Sequence, residues 1–361
     1  MIRRRAVLGG ALAAPFLARR SWGSAAETLT RVAGQLIMTG FAGREPGQPG
    51  VEVAARQIEQ GRIGGVLLLD RNIRSPDQLR RLTARLGRGA QPFIAVDQEG
   101  GRVARLRRRG GFAHWESAAS VARRMSPVEA EGYYAGRARD LAALGITLNL
   151  GPVVDLDLGG PAIGALGRAY GPDPASVVPY AEAFVRAHRA AGVATSLKHF
   201  PGHGSATLDS HRVLPDIGPR WRGAEMEPFR ALAAAGLADM VMTAHLSHPA
   251  FSDAPDMPSS LSVRAIDALR ATGFRGVVVT DDLEMRAVSD AFGPEEAAVR
   301  AIAAGNDMVI FSTYGALDRA LGPRVNAAIV QALRDGRLTE GRVARSYAAV
   351  MALKARLRAS R

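Results

Sequence analysis

Three of the chain's seven histidines fall within a single stretch. It reads Lys198-His199-Phe200-Pro201-Gly202-His203-Gly204 and continues to Asp209-Ser210-His211. Imidazole titrates near neutral pH and also ligates metals, so such a cluster can move protons or hold an ion. Pro201, Gly202 and Gly204 argue against a helix, so His199 and His203, although four apart, are not a helical metal-ligand pair. A glycine-rich polar stretch that follows an apolar run has the composition of an active-site loop. One histidine alone would be read as an ordinary hydrogen-bonding residue. Three on one loop, with an aspartate beside the last, outweigh that reading.

Two further stretches concentrate carboxylates. Val277-Val278-Val279-Thr280-Asp281-Asp282-Leu283-Glu284-Met285 places an aspartate pair at the end of an apolar run. At the end of a strand, one should face the centre of the fold and the other the following loop or helix N-terminus, where a carboxylate can cap. One catalytic and one structural carboxylate is the natural division. Asp97-Gln98-Glu99-Gly100-Gly101-Arg102 similarly puts acids and a flexible turn after a short apolar run. Lysine occurs only at Lys198 and Lys354, every other basic residue being arginine. Where a generic positive charge suffices, this chain uses arginine, so Lys198 beside His199 marks a place that wants a compact ammonium.

These residues need elements to position them. Apolar runs of strand length cover 35–41, 65–69, 92–96, 147–156, 194–200, 240–246, 276–282 and 308–312. Segments of helical period lie between them at 51–60, 75–86, 127–144, 174–190, 227–235, 263–271 and 294–304, with more helix in 316–357. Runs that are apolar on both faces are buried parallel strands. Their alternation with helices predicts an α/β fold, either a closed barrel or an open sheet. No glycine-rich phosphate loop follows the first strand. Polar groups instead sit at the ends of many strands: Asp97, Asp155, Lys198, His199, His245, Asp281 and Ser312. A (β/α)8 barrel gathers such ends on one rim, where its active site is built, and is the predicted fold.

Composition narrows the function. The 361 residues contain no cysteine, which excludes disulfides, zinc–cysteine sites, thiol catalysis and a lipid-anchored N-terminal cysteine. The net charge of +13 comes without an arginine stripe interleaved with aromatics, so nucleic-acid binding is not expected. No apolar run is long enough to span a bilayer. Residues 1–26 hold five arginines and no acid. Arg3-Arg4-Arg5, a modest apolar stretch through Ala18 and the small residues Ser24-Ala25-Ala26 resemble a twin-arginine export signal. A mature N-terminus near Glu27 and an exported catalytic domain over 27–361 are expected. A monomer is expected too.

The motifs together identify a family resemblance. The chain resembles glycoside hydrolase family 3, in its single-domain β-N-acetylglucosaminidase branch of peptidoglycan recycling. The matching stretches are Val96–Val103, Asn149–Asp155, Lys198–Gly204, Asp209–His211, Thr280–Met285 and Ala304–Met308. The Lys-His-Phe-Pro-Gly-His-Gly segment followed by Asp-Ser-His is highly specific. The resemblance implies a (β/α)8 barrel, no cofactor or metal, and retaining hydrolysis of terminal β-linked N-acetylglucosamine. It implies Asp281 as nucleophile; such a carboxylate must stay ionised, and Lys198 is one candidate source of the positive charge this needs. It implies His211 as acid/base and Asp209 as its partner. Asp97, Arg105, Arg168, Lys198 and His199 would bind the sugar. Around Arg168 the chain reads Arg168-Ala169-Tyr170-Gly171, where the family usually shows Arg-Ser-Phe-Gly.

A histidine acid/base departs from the usual pair of carboxylates. Its chemistry is adequate, provided that the Asp209–His211 loop turns tightly and Asp209 orients the ring; Gly204 nearby is expected to give mobility. Four other readings compete. A family 3 glucosidase would need an acid/base on a second domain for which this chain is too short. A phosphorylase would use phosphate in place of water, which a histidine repels less than a carboxylate would. A metal-dependent barrel hydrolase would use His199, His203, His211 and Asp209 as ligands. A silent sugar-binding module would bind N-acetylglucosamine without cleaving it.

Overall fold

The computed structural model describes residues 25–89, 91–315 and 317–359. The expected export signal lies outside these residues except for Ala25 and Ala26, which open a helix, Ala25–Gly34. Eight strands form the centre: β1 (Ile37–Thr39), β2 (Gly65–Leu68), β3 (Phe93–Val96), β4 (Leu148–Asn149), β5 (Ala194–Phe200), β6 (Met240–Thr243), β7 (Val277–Asp282) and β8 (Met308–Phe311). Each pairs in parallel with the next, and β8 closes on β1 through Ile37↔Val309 and its neighbours, giving the predicted barrel.

Successive side chains of a strand point to opposite faces. Met38, Leu67, Phe93, Ala95, Met240, Met242, Val277, Val279, Met308 and Ile310 therefore fill the barrel interior. Their neighbours Ile37, Val66, Ile94, Val96, Val241, Val278 and Val309 pack outward under the helices. Both faces are dry, which is why the runs lack alternation. The surrounding helices begin where the local chemistry favours it. Ser75, Ser126 and Asp173 each accept a main-chain N–H of the first turn, and a proline follows each.

The final helix, Glu340–Ala359, closes the floor of the barrel: Val350 and Leu353 join the interior cluster. Lys354 goes with them. Its Nζ donates to Gln35 Oε1 and Gly64 O, both at 2.7 Å, and lies 4.9 Å from the Phe93 ring centroid. Burial pushes this amine down to about 7. The chain's second lysine thus also occupies a place where a compact ammonium fits.

Some elements differ from expectation. The predicted strand 147–156 is regular only over Leu148–Asn149; beyond it the chain stays beside β5 through a single bridge, Val153 with Lys198. The helical stretch 316–357 is two helices, Leu321–Arg334 and Glu340–Ala359, separated by Gly336 at φ +73°. Helices Ala25–Gly34 and Ala118–Arg124, and a two-stranded ribbon of Gln98–Gly100 with Val103–Ala104, were not anticipated. No helix among the described residues is long and apolar enough to cross a membrane.

Candidate active site

The C-terminal ends of the strands carry the polar residues. After β3 the chain makes the short ribbon, and Gln98 fixes it: its Oε1 accepts the N–H groups of Arg105 and Leu106 at 2.9 and 3.0 Å. Gly100 is required there. Its φ is +106°, and a Cβ would stand 2.0 Å from Glu116 O. The ribbon returns the chain so that Arg105 lies near Asp97, with Nη2 3.7 Å from Asp97 Oδ2.

Lys198, near the end of β5, reaches back to the same acids. Its Nζ donates to Asp97 Oδ1 at 3.0 Å and pairs with Glu99 Oε1 at 2.6 Å. Arg168 grips Glu99 from the other side through Nε and Nη2, both at 2.8 Å. Glu99 is buried, and burial alone would raise its carboxyl. Arg168 and Lys198 outweigh that and hold it far below the usual carboxylate range. Burial likewise disfavours charged Lys198, but Glu99 and Asp97 keep its amine above its ordinary value.

Asp155 is fully buried beneath this network. Its Oδ1 accepts the main-chain N–H groups of His199 and His203 at 3.1 and 2.8 Å, and its Oδ2 faces His199 Nδ1 at 2.6 Å. His199 Nε2 faces Arg168 Nη2 at 3.3 Å. An arginine can only donate, so the proton of His199 is assigned to Nδ1. Burial opposes ionisation of Asp155, yet His199 and the hydrogen bonds hold its carboxyl below the ordinary value.

The aspartates of β7 divide the work. Asp282 accepts Ser312 N and Glu284 N and also bonds Ser312 Oγ, which ties the end of β7 to that of β8. Asp281 Oδ1 accepts the neighbouring N–H of Asp282, at 2.8 Å, and its carboxylate lines a cavity. His245, at the end of β6, steadies the pair: Nε2 donates to Asp282 O at 2.9 Å, and Nδ1 accepts Ser260 Oγ at 2.7 Å. Burial would raise the Asp281 carboxyl, but the nearby His245, His199 and His211 and the Asp282 N–H bring it down to about 2. Lys198, expected to supply positive charge to Asp281, is instead engaged by Asp97 and Glu99.

His211 stands on the loop after β5. Asp209 Oδ1 accepts its main-chain N–H at 3.0 Å and faces its Nδ1 at 2.8 Å, so the loop turns as tightly as the spacing required. Nδ1 then carries the proton toward Asp209, and Nε2 is left for another partner. Gly204 does not serve mobility. A Cβ there would stand 2.2 Å from Leu156 O, so glycine permits close packing of the loop base.

Asp97, Arg105, His211, Asp281, Glu284 and Tyr314 line one cavity of about 590 Å³ at this end of the barrel. Lys198 and Arg168 stand behind it, holding Asp97 and Glu99, and His199 lies beside them on Asp155 and Arg168. Glu99 and His245 were not assigned a role from the sequence; their signal was position, each lying at or just past a strand end. Glu284 is pushed up to about 7 by burial and by the charge of Asp282. Among the described residues, no three histidines or carboxylates converge as metal ligands would. His199, His203 and His211 are bonded instead to Asp155, Ser210 and Asp209.

Comparison with known proteins gives the family. The chain is 36% identical over 267 residues to a protein of Vibrio cholerae serotype O1 named beta-hexosaminidase, spanning 72% of this chain and 79% of that one. A glycoside hydrolase family 3 beta-N-acetylglucosaminidase structure from Paenibacillus sp. strain FPU-7 superposes with TM-score 0.82 at 35% identity, covering 91% of this chain and 62% of that chain. A beta-N-acetylhexosaminidase structure from Beutenbergia cavernae superposes with TM-score 0.80 at 30% identity, covering 91% of this chain and 98% of that chain. Residues 15–353 match the model of the glycosyl hydrolase family 3 N-terminal domain, and the chain belongs to that family.

Proposed function

We propose that this glycoside hydrolase is a retaining β-N-acetylhexosaminidase. It removes terminal, non-reducing β-linked N-acetylglucosamine from peptidoglycan-derived or chitin-derived fragments. The observation that carries the reading is the shared cavity, which is lined by both an ionised Asp281 and His211, the latter bonded to Asp209.

In this reading Asp281 attacks the anomeric carbon and forms a covalent glycosyl-enzyme. Covalent catalysis divides one hard displacement into two easier ones. His211 in its imidazolium form protonates the leaving oxygen from Nε2, and as neutral imidazole it then deprotonates the attacking water. Asp209 orients the ring and stabilises the imidazolium. Asp97 and Arg105 contact the sugar from the cavity wall, and Lys198, His199 and Arg168 belong to the same sugar-binding network. The protein acts as a monomer, without nucleic acid, and reaches its substrate outside the cytoplasm after removal of residues 1–26.

The acid/base role is tested with His211→Ala on glycosides of graded leaving-group ability. The loss of kcat/KM should be severe for poor leaving groups and small for activated aryl glycosides, with glycosyl-enzyme accumulating on the latter. A uniform loss without accumulation would place the acid elsewhere. Product analysis in phosphate buffer separates hydrolysis from phosphorolysis.

A further inference from the structure

The loop that carries His211 is exposed on both sides of a single inward-turned residue. The side chains of Asp209 and His211 are 40% and 70% exposed, whereas Ser210 between them is 3% exposed. A buried hydroxyl needs a partner. Ser210 Oγ finds one in His203 Nε2, at 3.1 Å. His203 is itself buried, and its other ring nitrogen has no protein partner among the described residues. The ring's one side-chain hydrogen bond is thus the bond to Ser210.

His203 is well anchored for such a task. Its main-chain N–H donates to Asp155 Oδ1, the oxygen that also takes the His199 N–H. Its ring lies edge-on to the His199 ring, with centroids 5.6 Å apart. We infer that His203 is a positioning residue for the proposed acid/base: through Ser210 it fixes the Asp209–His211 turn to the sugar-binding network around Asp155 and His199. The inference rests on the assignment of His211 as acid/base. Burial, with His199 adding to it, holds the His203 ring down to about 4, so it stays neutral and the bond persists across neutral pH. The carboxylate–histidine pair sets the ring orientation of His211, and the bond beneath it sets where that pair stands over the cavity.

Ser210→Ala removes the bond while keeping the Asp209 and His211 side chains themselves unaltered. A single hydrogen bond of this kind corresponds to roughly a two- to tenfold change in rate. The expected result is a loss of that size in kcat/KM on poor leaving groups, shrinking toward none on activated aryl glycosides. Ser210→Thr, which keeps the hydroxyl, should restore the rate. In a His211→Ala background, Ser210→Ala should cause no further loss. His203→Phe should reproduce Ser210→Ala; if it does not fold, the Ser210 variants decide alone. An unchanged rate, a loss equal across leaving groups, or an added loss in the His211→Ala background would overturn the inference. A flat leaving-group response of His211→Ala itself would refute the acid/base reading and this inference with it. A graded His211 response with a flat Ser210 response would refute the positioning role alone.

Discussion

Asp155→Asn is the sharpest test of the buried network, because it keeps shape and changes one atom's chemistry. The asparagine oxygen can still accept the N–H groups of His199 and His203 that Oδ1 now takes. The amide nitrogen must then stand where Oδ2 faces His199 Nδ1–H at 2.6 Å, donor against donor. Moving the His199 proton to Nε2 does not help, since Nε2 would then point its hydrogen at Arg168 Nη2, 3.3 Å away. One conflict survives either way. The lost charge-assisted bond is worth about 1.5–3 kcal/mol, and an unsatisfied buried donor about 1–3 kcal/mol. A destabilisation of about 3–5 kcal/mol is expected, read as a lower urea midpoint with unchanged slope. The pH dependence has a definite sign. The folded Asp155 carboxyl lies below its ordinary value. Its stabilisation is therefore complete above the unfolded aspartate pKa of about 3.9 and is lost as pH falls through the lower folded value. The gap between wild type and variant should be level from about pH 5 to 8 and shrink in acid. Catalytically, KM should rise through the displaced His199 while Asp281 remains competent. A difference below about 1 kcal/mol at neutral pH, or a gap that widens in acid, would refute the tautomer argument.

Asp281→Ala should lose nearly all activity, and the wild-type product should keep its anomeric configuration by NMR; an active Asp281→Ala with a dead Asp282→Ala would reverse the assignment of the pair. Lys354 is held at about 7 in the folded chain against about 10.4 unfolded, so the unfolded chain binds more protons between those values and stability rises with pH there, by up to about 1.4 kcal/mol per unit. In Lys354→Met that rise should be absent, which denaturant titrations at pH 7 and 9 would measure. Gly100→Ala should cost about 1–3 kcal/mol from the strained backbone alone and disturb Arg105, seen as a lower Tm with a raised KM. N-terminal sequencing of secreted protein should begin near Glu27; an intact residue-1 terminus in cytosolic extract would contradict export.

The sequence alone determined the periodic parts of this protein. Buried parallel strands must be apolar on both faces, so β5 was legible to its last residue, and so were the helices Pro174–Ala190 and Pro294–Ala304. The motifs likewise located the candidate site, because aspartates and histidines after such runs have few other places to go in a barrel, and Asp97, His211 and Asp281 do line one cavity. What only the tertiary structure decided is which charges meet. Lys198 and Glu99 are 99 positions apart in sequence, and their pairing depends on β3 and β5 facing the same barrel mouth. The same holds for Arg168 with Glu99, for His199 with Asp155 and for the Lys354 amine in the barrel floor. Strand and helix periods are written in local residue order, whereas the field that ionises Asp281 and the bonds that orient His211 and His199 depend on distances of a few ångströms across the closed barrel.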